Sequence, residues 1–514
     1  MDLSRRRLLG GAIALPAPAM AQARAQADVV RVAVLAPRGV GSPDPHRATA
    51  HPDRMLASWV HGALVRFRPG TTSPATIEPD LAEAWEHSPD RRTWHFRLRE
   101  GVAFHRGFGP VTAEDVAFSL RRAADPAISA HAGDLATLEE VAALDARTVR
   151  VVWRAAPPVP LGPLANYAGG FILSHRAMEA GGAEAATVGF GPFAVAEHQA
   201  GQSMRLVAHA GYFRGPPKLA GIAYRFVASP ATADLAFQAN EVDVVEGQAD
   251  GAWIARQRAG GAVVDVIEPA ELSQLHLNVT RAPLDDPRVR RAVALAVNRA
   301  ELARWRGDLA RAAGGVVPSG ALGFAGDAAL PGPDPEAARR LLAEAGHPNG
   351  ITLRTVHTSN AGMLGAIQVV QAQLRRAGIT LDIEVVDHLT WHAMIRQDLS
   401  PVVHYAAARF PVADATLTPF FHSRGIVGAP GAATNFSHCA VADAEIDAAR
   451  AEPEEAAQAR LWAEAQRKIL AAGCAVPLVE SMAVWARRPG FDYGFAFRGA
   501  MATGPLITEQ ARFG

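Results

Sequence analysis

His388 and His392 stand four residues apart, which puts two imidazoles on one face if the segment is helical, and such a pair can begin a metal site. A site of that kind takes three or four ligands. No third ligand is evident near them, so a pair of surface histidines is the plainer reading. His46 and His51 share a loop rich in glycine, proline and aspartate and say no more. The chain has no G-x-S-x-G elbow and no H-E-x-x-H, and Gly39-Val40-Gly41 lacks the third glycine of a dinucleotide loop. Lys218 and Lys468 are the only lysines and neither follows a glycine, so no G-K-[ST] phosphate loop exists. No catalytic group, metal ion or cofactor is expected. Arg409 is of another kind. Its planar fork suits a carboxylate or phosphate and repels an ammonium. The alternative is an ion pair with an internal acid such as Asp414.

The stretch from Leu81 to Ala123 shows which elements position such groups. Trp94, Phe96 and Leu98 alternate with His95, Arg97 and Arg99, the period of a strand with one buried face. Gly101 interrupts the run and Val102 to Phe104 resumes it. Thr112 and Asp115 form a capping box, and Ala113, Val116, Ala117 and Leu120 give the helix that follows an apolar face. Further on, Val29 to Leu35, Thr148 to Trp153, Val263 to Glu268, Ile351 to Val356, Ile379 to Val386 and Val402 to Tyr405 read as strands. Helices are expected over Met55 to Leu64, Pro230 to Ala239, Gly362 to Arg376 and Glu454 to Ala471. Two more begin at Asp286-Pro287 and Asp334-Pro335, where an acid caps and proline fills the first turn. Pro157 to Pro163 is a proline-rich turn. Alternating strands and helices argue for α/β lobes, and 514 residues for two or three domains.

Ser4-Arg5-Arg6-Arg7-Leu8-Leu9, a short apolar run and the small residues up to Ala27 have the order of a twin-arginine export signal. Four arginines and one aspartate precede residue 28; the remainder carries 47 basic and 50 acidic residues, a balance that does not suggest nucleic acid. Neither cysteine, Cys439 nor Cys474, lies near the cleavage region, so no lipid anchor is expected there. In an oxidising compartment the two either pair or stay as buried thiols.

The wording of several stretches resembles the extracytoplasmic solute-binding proteins of peptide- and nickel-type ABC importers (bacterial solute-binding protein family 5). Phe104, His105, Gly107, Thr112 to Val116, Phe118 and Ser119 stand where that family's pattern has them, with Arg106 in place of the usual aspartate. Gly189 to Phe193, Gly201-Gln202-Ser203, Tyr212 to Leu219, Glu241 to Val244, Pro283 to Ala292 and Val476-Pro477-Leu478 follow in the family's order. The resemblance implies an α/β, bilobal periplasmic-binding-protein fold (class II-like) with an extra subdomain in the first lobe. The expected organisation is a signal peptide over 1–27, a first lobe over 28–270 with an inserted subdomain about 49–186, a second lobe over 271–480, and a tail over 481–514 returning to the first lobe. Crossings are expected near Glu268–Ser273 and Pro477–Ala483.

The implied function is capture of a peptide-like or other small, anionic solute in the interlobe cleft, for delivery to a membrane permease and indirectly its ATPase. Carriers of nickel or metal chelates or of opines, and ligand-sensing receptors, are the alternatives; a hydrolase has little support. The protein is expected to be a free, periplasmic monomer. In the family's peptide binders an aspartate meets the peptide's amino group at the position taken here by Arg409, and the tryptophan before it is replaced by alanine. Arg409 is therefore expected to meet an anion, with Phe410 either beside the solute or in a core. His357 and Asn360, at a strand end, and Trp59 and His61, on the first-lobe side, complete the candidate ligand-binding set.

Overall fold

The computed structural model describes residues 28–182, 184–248, 250–307, 309–326, 330–428 and 434–514. The export signal expected over residues 1–27 lies outside the described residues.

Two long strands organise the fold. Val263–Leu277 and Ala475–Arg487 pair antiparallel along nearly their whole length, from Val263 opposite Arg487 to His276 opposite Ala475. They belong to a nine-stranded sheet, in which the short strand Ala310–Ala312 pairs with Ala475–Arg487. Val244–Glu246, Val29–Leu35, Gly221–Val227, Ser203–Ala208 and Phe193–Gln199 extend it on one side; Val402–Ala407 closes it on the other. Val29–Leu35 is parallel to Gly221–Val227 and to Val244–Glu246; Val30, Val32 and Val34 are buried on one of its faces and Ala33 on the other. The sequence reads a strand over Val263 to Glu268 only. The chain instead continues through Pro269, and the break in alternation appears as a register shift between Ile267 and Glu271.

The cores divide the molecule into two lobes. Ile267 and Trp485 pack with Val30, Val32, Trp59, Phe193 and Tyr224 in the first lobe. Leu275, Leu277 and Val476 pack with Val289, Val293, Leu353, Ile367 and Leu374 in the second. One strand pair thus enters both cores. At the crossing the fully buried Glu480 carboxylate accepts from Arg311 Nε at 2.6 Å and from the Ser319 N–H and hydroxyl at 3.0 and 2.7 Å. A buried carboxylate is tolerated because its lone pairs are so filled.

A second sheet, Ala82–His87, Thr93–Leu98, Thr148–Trp153 and Leu138–Ala143, is antiparallel and sits in the first lobe. Trp94, Phe96 and Leu98 are buried, and helix Ala113–Ala124 lies on them. The capping box is formed: the Asp115 N–H donates to the Thr112 hydroxyl and the Thr112 N–H to the Asp115 carboxylate. Val102 to Phe104 makes no strand; only a bridge between Ala103 and Pro110 remains. The first-lobe helix begins at His51 rather than Met55 and stops at Val60, because His61 turns extended with φ −111° and ψ 161°. Among the described residues no helix is long and apolar enough to cross a membrane.

Cys439 and Cys474 form a disulfide with Cα atoms 5.9 Å apart, closing a segment that contains helices Asp443–Ala451 and Glu455–Ala471. A closed loop of 35 residues restricts the unfolded chain enough to contribute about 3–4 kcal/mol. Replacing both cysteines by serine is expected to lower the unfolding free energy by that amount, read from urea titrations.

Candidate functional site

The hinge strand supplies one wall of a cavity of about 230 Å³ through Leu272, Gln274 and His276, alternate residues that share a face. Tyr405 and Ala407 on the neighbouring strand, and Thr416 and Phe420 on helix Asp414–Phe421, form the rest. Arg409 enters from the segment between that strand and that helix. Its guanidinium lies 5.5 Å over the Phe420 ring, a cation–π arrangement, and takes no hydrogen bond or ion pair among the described residues. The alternative partner is engaged elsewhere: Asp414 accepts from the Thr418 hydroxyl at 2.8 Å and lies 3.8 Å from Arg450.

A second cavity, about 420 Å³, lies on the first-lobe side and is lined by Arg54, Ser58, Phe67, Asn166, Tyr167 and Met501 among others. Arg409 acts electrically on two acids beyond its own cavity. Burial raises the Asp134 carboxyl, while His131 and Arg409 pull it back. Burial likewise raises Glu271 on the hinge strand, against Arg306 and Arg409. Both side chains are exposed to solvent, and the protein around them still disfavours their charge. Arg409 therefore faces a first-lobe acid and a hinge acid together.

Three polar atoms on these walls are buried without a partner among the described residues: Arg54 Nε, Gln274 Oε1 and His276 Nδ1. His276 is held neutral, its pKa lowered by burial to about 3. An unpaired buried polar atom costs about 1–3 kcal/mol; Arg54 Nε borders the first-lobe cavity, and Gln274 Oε1 and His276 Nδ1 border the cavity of Arg409.

The other sequence candidates lie elsewhere. Trp59 is fully buried, donates its indole N–H to Pro505 O at 2.9 Å and meets Tyr224 edge-on at 4.9 Å; it belongs to the first-lobe core. Asn360 caps helix Ala361–Arg376 by accepting from the Met363 N–H. His357 is buried: its Nδ1 donates to Thr358 O, its Nε2 accepts from His404 Nδ1, and His404 Nε2 accepts from the Ser273 hydroxyl. Burial lowers the pKa of both histidines, which keeps this chain neutral. His61, lowered by burial to about 4, lines a third cavity of about 450 Å³ with Arg66, Asp80 and Tyr212. His388 and His392 share helix His388–Arg396, and His388 meets the Thr358 hydroxyl at 3.0 Å. Among the described residues no three histidine, cysteine or acidic side chains gather as a metal cluster. Arg54, Asp134, Tyr167, Glu271, Gln274, His276 and Phe420 are the residues the sequence reading missed. Gln274 and His276 did leave a signal, polar residues alternating with leucines on a strand that reads as buried.

Residues 76–428 match the bacterial extracellular solute-binding proteins, family 5 (middle). The chain belongs to that family. Its members are the solute-binding components of ABC importers, and this protein is such a component. Among solved structures it is similar to MoaA of A. tumefaciens R10 in complex with mannopinic acid, at 47% identity and a TM-score of 0.84, over 95% of this chain and 99% of that one. Di/tripeptide-binding protein 2 of Pseudomonas aeruginosa is 30% identical over 68% of this chain and 69% of its own length. AgaA of A. tumefaciens R10 in complex with agropinic acid shares the fold, with 23% identity and a TM-score of 0.77 over 95% of this chain and 98% of its own. The α/β bilobal fold expected of the family is the one observed.

Asp134 binds its proton more tightly folded than unfolded. Its contribution to stability therefore falls as pH rises from about 3.9, the unfolded value, through the raised folded pKa. Asp134→Asn is expected to gain on the wild-type protein between pH 4 and pH 7 in urea midpoints; a difference constant across that range would contradict the assignment.

Proposed function

We propose that this solute-binding protein captures an opine-type solute, an amino acid joined through its nitrogen to a sugar-derived chain. Such a molecule presents carboxylate, ammonium and hydroxyl groups at once. The observation that carries the reading is the unpaired Arg409 guanidinium in the cleft, within reach of the charges of Asp134 and Glu271. The arginine fork takes a carboxylate. The two acids favour the ammonium, whose arrival restores their charged form. Gln274 Oε1, His276 Nδ1, Arg54 Nε and the amide of Asn166 suit a row of hydroxyls. The 47% identity with a protein solved with mannopinic acid supports the same chemistry.

A peptide is the second reading, favoured by the likeness to the di/tripeptide-binding protein. It requires the peptide's ammonium to avoid Arg409 and find Asp134 or Glu271 instead. On our reading Arg409 is a solute contact and Phe410 borders the solute space. Trp59, His357 and Asn360 act through the fold. The protein works exported by the twin-arginine route, free in the periplasm and as a monomer, transforms nothing, and passes its solute to a permease. Solute contact with both lobes stabilises the closed form that the permease reads.

Titration calorimetry with mannopinic acid tests this. Binding is expected for the wild-type protein, and Arg409→Ala is expected to weaken it about 10- to 100-fold, the worth of a charge-assisted hydrogen bond. No binding of mannopinic acid alongside tight binding of a dipeptide would reject the opine reading. Unchanged affinity in Arg409→Ala would remove the arginine from the site.

A further inference from the structure

Phe410 belongs to two cores at once. Its segment is anchored in the second lobe: Leu322 N–H donates to Pro411 O at 2.9 Å, and Ala413 N–H to Leu322 O at 2.7 Å. The ring nevertheless packs on the core of the first-lobe subdomain, 5.7 Å from the Phe67 centroid and 6.1 Å from that of Tyr167. The exchange is reciprocal. Val159, from the turn Pro157 to Pro163, packs against the second-lobe core that holds Leu417, Phe420 and Tyr405. That turn is stiff, with prolines at 157, 158, 160 and 163 and the Gly162 N–H donating to Val159 O at 2.9 Å.

Gly162 is the close point of the contact. A Cβ built there would lie 2.8 Å from Phe410 Cζ and 3.1 Å from Cε1, nearer than carbon atoms approach. Its φ is not in the left-handed region, so the backbone does not demand glycine. The Phe410 ring does.

We propose that Phe410 and the Pro157–Pro163 turn form an apolar clasp that holds the lobes together by direct contact and sets the neighbouring Arg409 guanidinium in the cleft. Gly162 is the position that lets the ring seat. The clasp rests on contacts between the protein's own lobes and stands whichever solute is captured. Its effect on capture follows from population: a clasped protein spends more of its time in the binding-competent form, so the apparent affinity rises by that fraction. Phe410 acts through Arg409 and through closure, as a positioning residue.

The test is a double-mutant cycle of Gly162→Ala, Phe410→Ala and the two combined, each checked for an intact fold by circular dichroism melting. X-ray scattering of the solute-free proteins reads the radius of gyration, and calorimetry with mannopinic acid reads affinity. Each single variant is expected to enlarge the radius of gyration and weaken capture about tenfold. In the Phe410→Ala background, where no ring occupies the seat, Gly162→Ala is expected to add nothing. Unchanged scattering in both single variants would overturn the clasp. So would a Gly162→Ala effect of equal size with and without the Phe410 ring. Phe410→Ala alone decides the matter if Gly162→Ala melts below the working temperature, since truncating a half-buried interlobe ring leaves each lobe's own core intact.

Discussion

The ladder between Val263–Leu277 and Ala475–Arg487 is the constraint on which the molecule depends. Each lobe has its own core, and these two strands are what both cores share. A paired strand resists stretching and sliding but bends where its register slips. The slips fall between Ile267 and Glu271 and between Ser273 and Gln274, at the level where the cavity residues begin. The same irregularity that loosens the ladder also aims Gln274 and His276 at the cleft, as bulges do beside functional sites. The irregular pairing and the cavity wall thus fall at one level of the ladder.

Several buried polar groups of the chain are satisfied: Glu480 by Arg311 and Ser319, His404 by Ser273 and His357, Gln466 by Gly323 and Trp462 carbonyls. Around the cleft Arg54, Gln274 and His276 keep buried atoms without partners, and two carboxyls are held above their ordinary pKa. Each is a cost in the solute-free protein, and on the reading proposed above a matching solute removes it. Specificity follows from the same asymmetry, because a solute lacking one of these groups leaves the corresponding protein atom unpaired.

Local chemistry was readable from the residues where a single turn or strand contains the whole interaction. The Thr112–Asp115 capping box, the alternation of Trp94, Phe96 and Leu98, and the Asp286 and Asp334 caps are all of this kind. What needs the tertiary fold was not readable. Trp59 and His357 look like binding residues by type, yet burial turns one into core and the other into a neutral hydrogen-bond relay. Asn360 looked like a cleft contact and is a helix cap, a role its type equally allows. Asp134 and Glu271 sit in no motif, lie 137 positions apart, and become a pair only because Arg409 stands between the elements that carry them. Gly162 is invisible without the ring that crowds it.

Arg409 is a cation left unpaired on a cavity wall. The resemblance to the family's peptide binders implies an acid at this position, and a lone reversal of charge would ordinarily be absorbed by a neighbouring ion pair. That is closed off in this fold, because the nearest acid in sequence, Asp414, accepts from the Thr418 hydroxyl and is matched with Arg450. The guanidinium rests on Phe420, which steadies it without neutralising it. Its charge then acts outward, on Asp134 across the cleft and on Glu271 at the hinge, lowering both carboxyls from where burial alone would leave them. The acids have not been lost from the site but moved to its margins. A solute with charge of both signs, its anion at the centre and its cation toward the edge, fits such an arrangement better than the reverse order does.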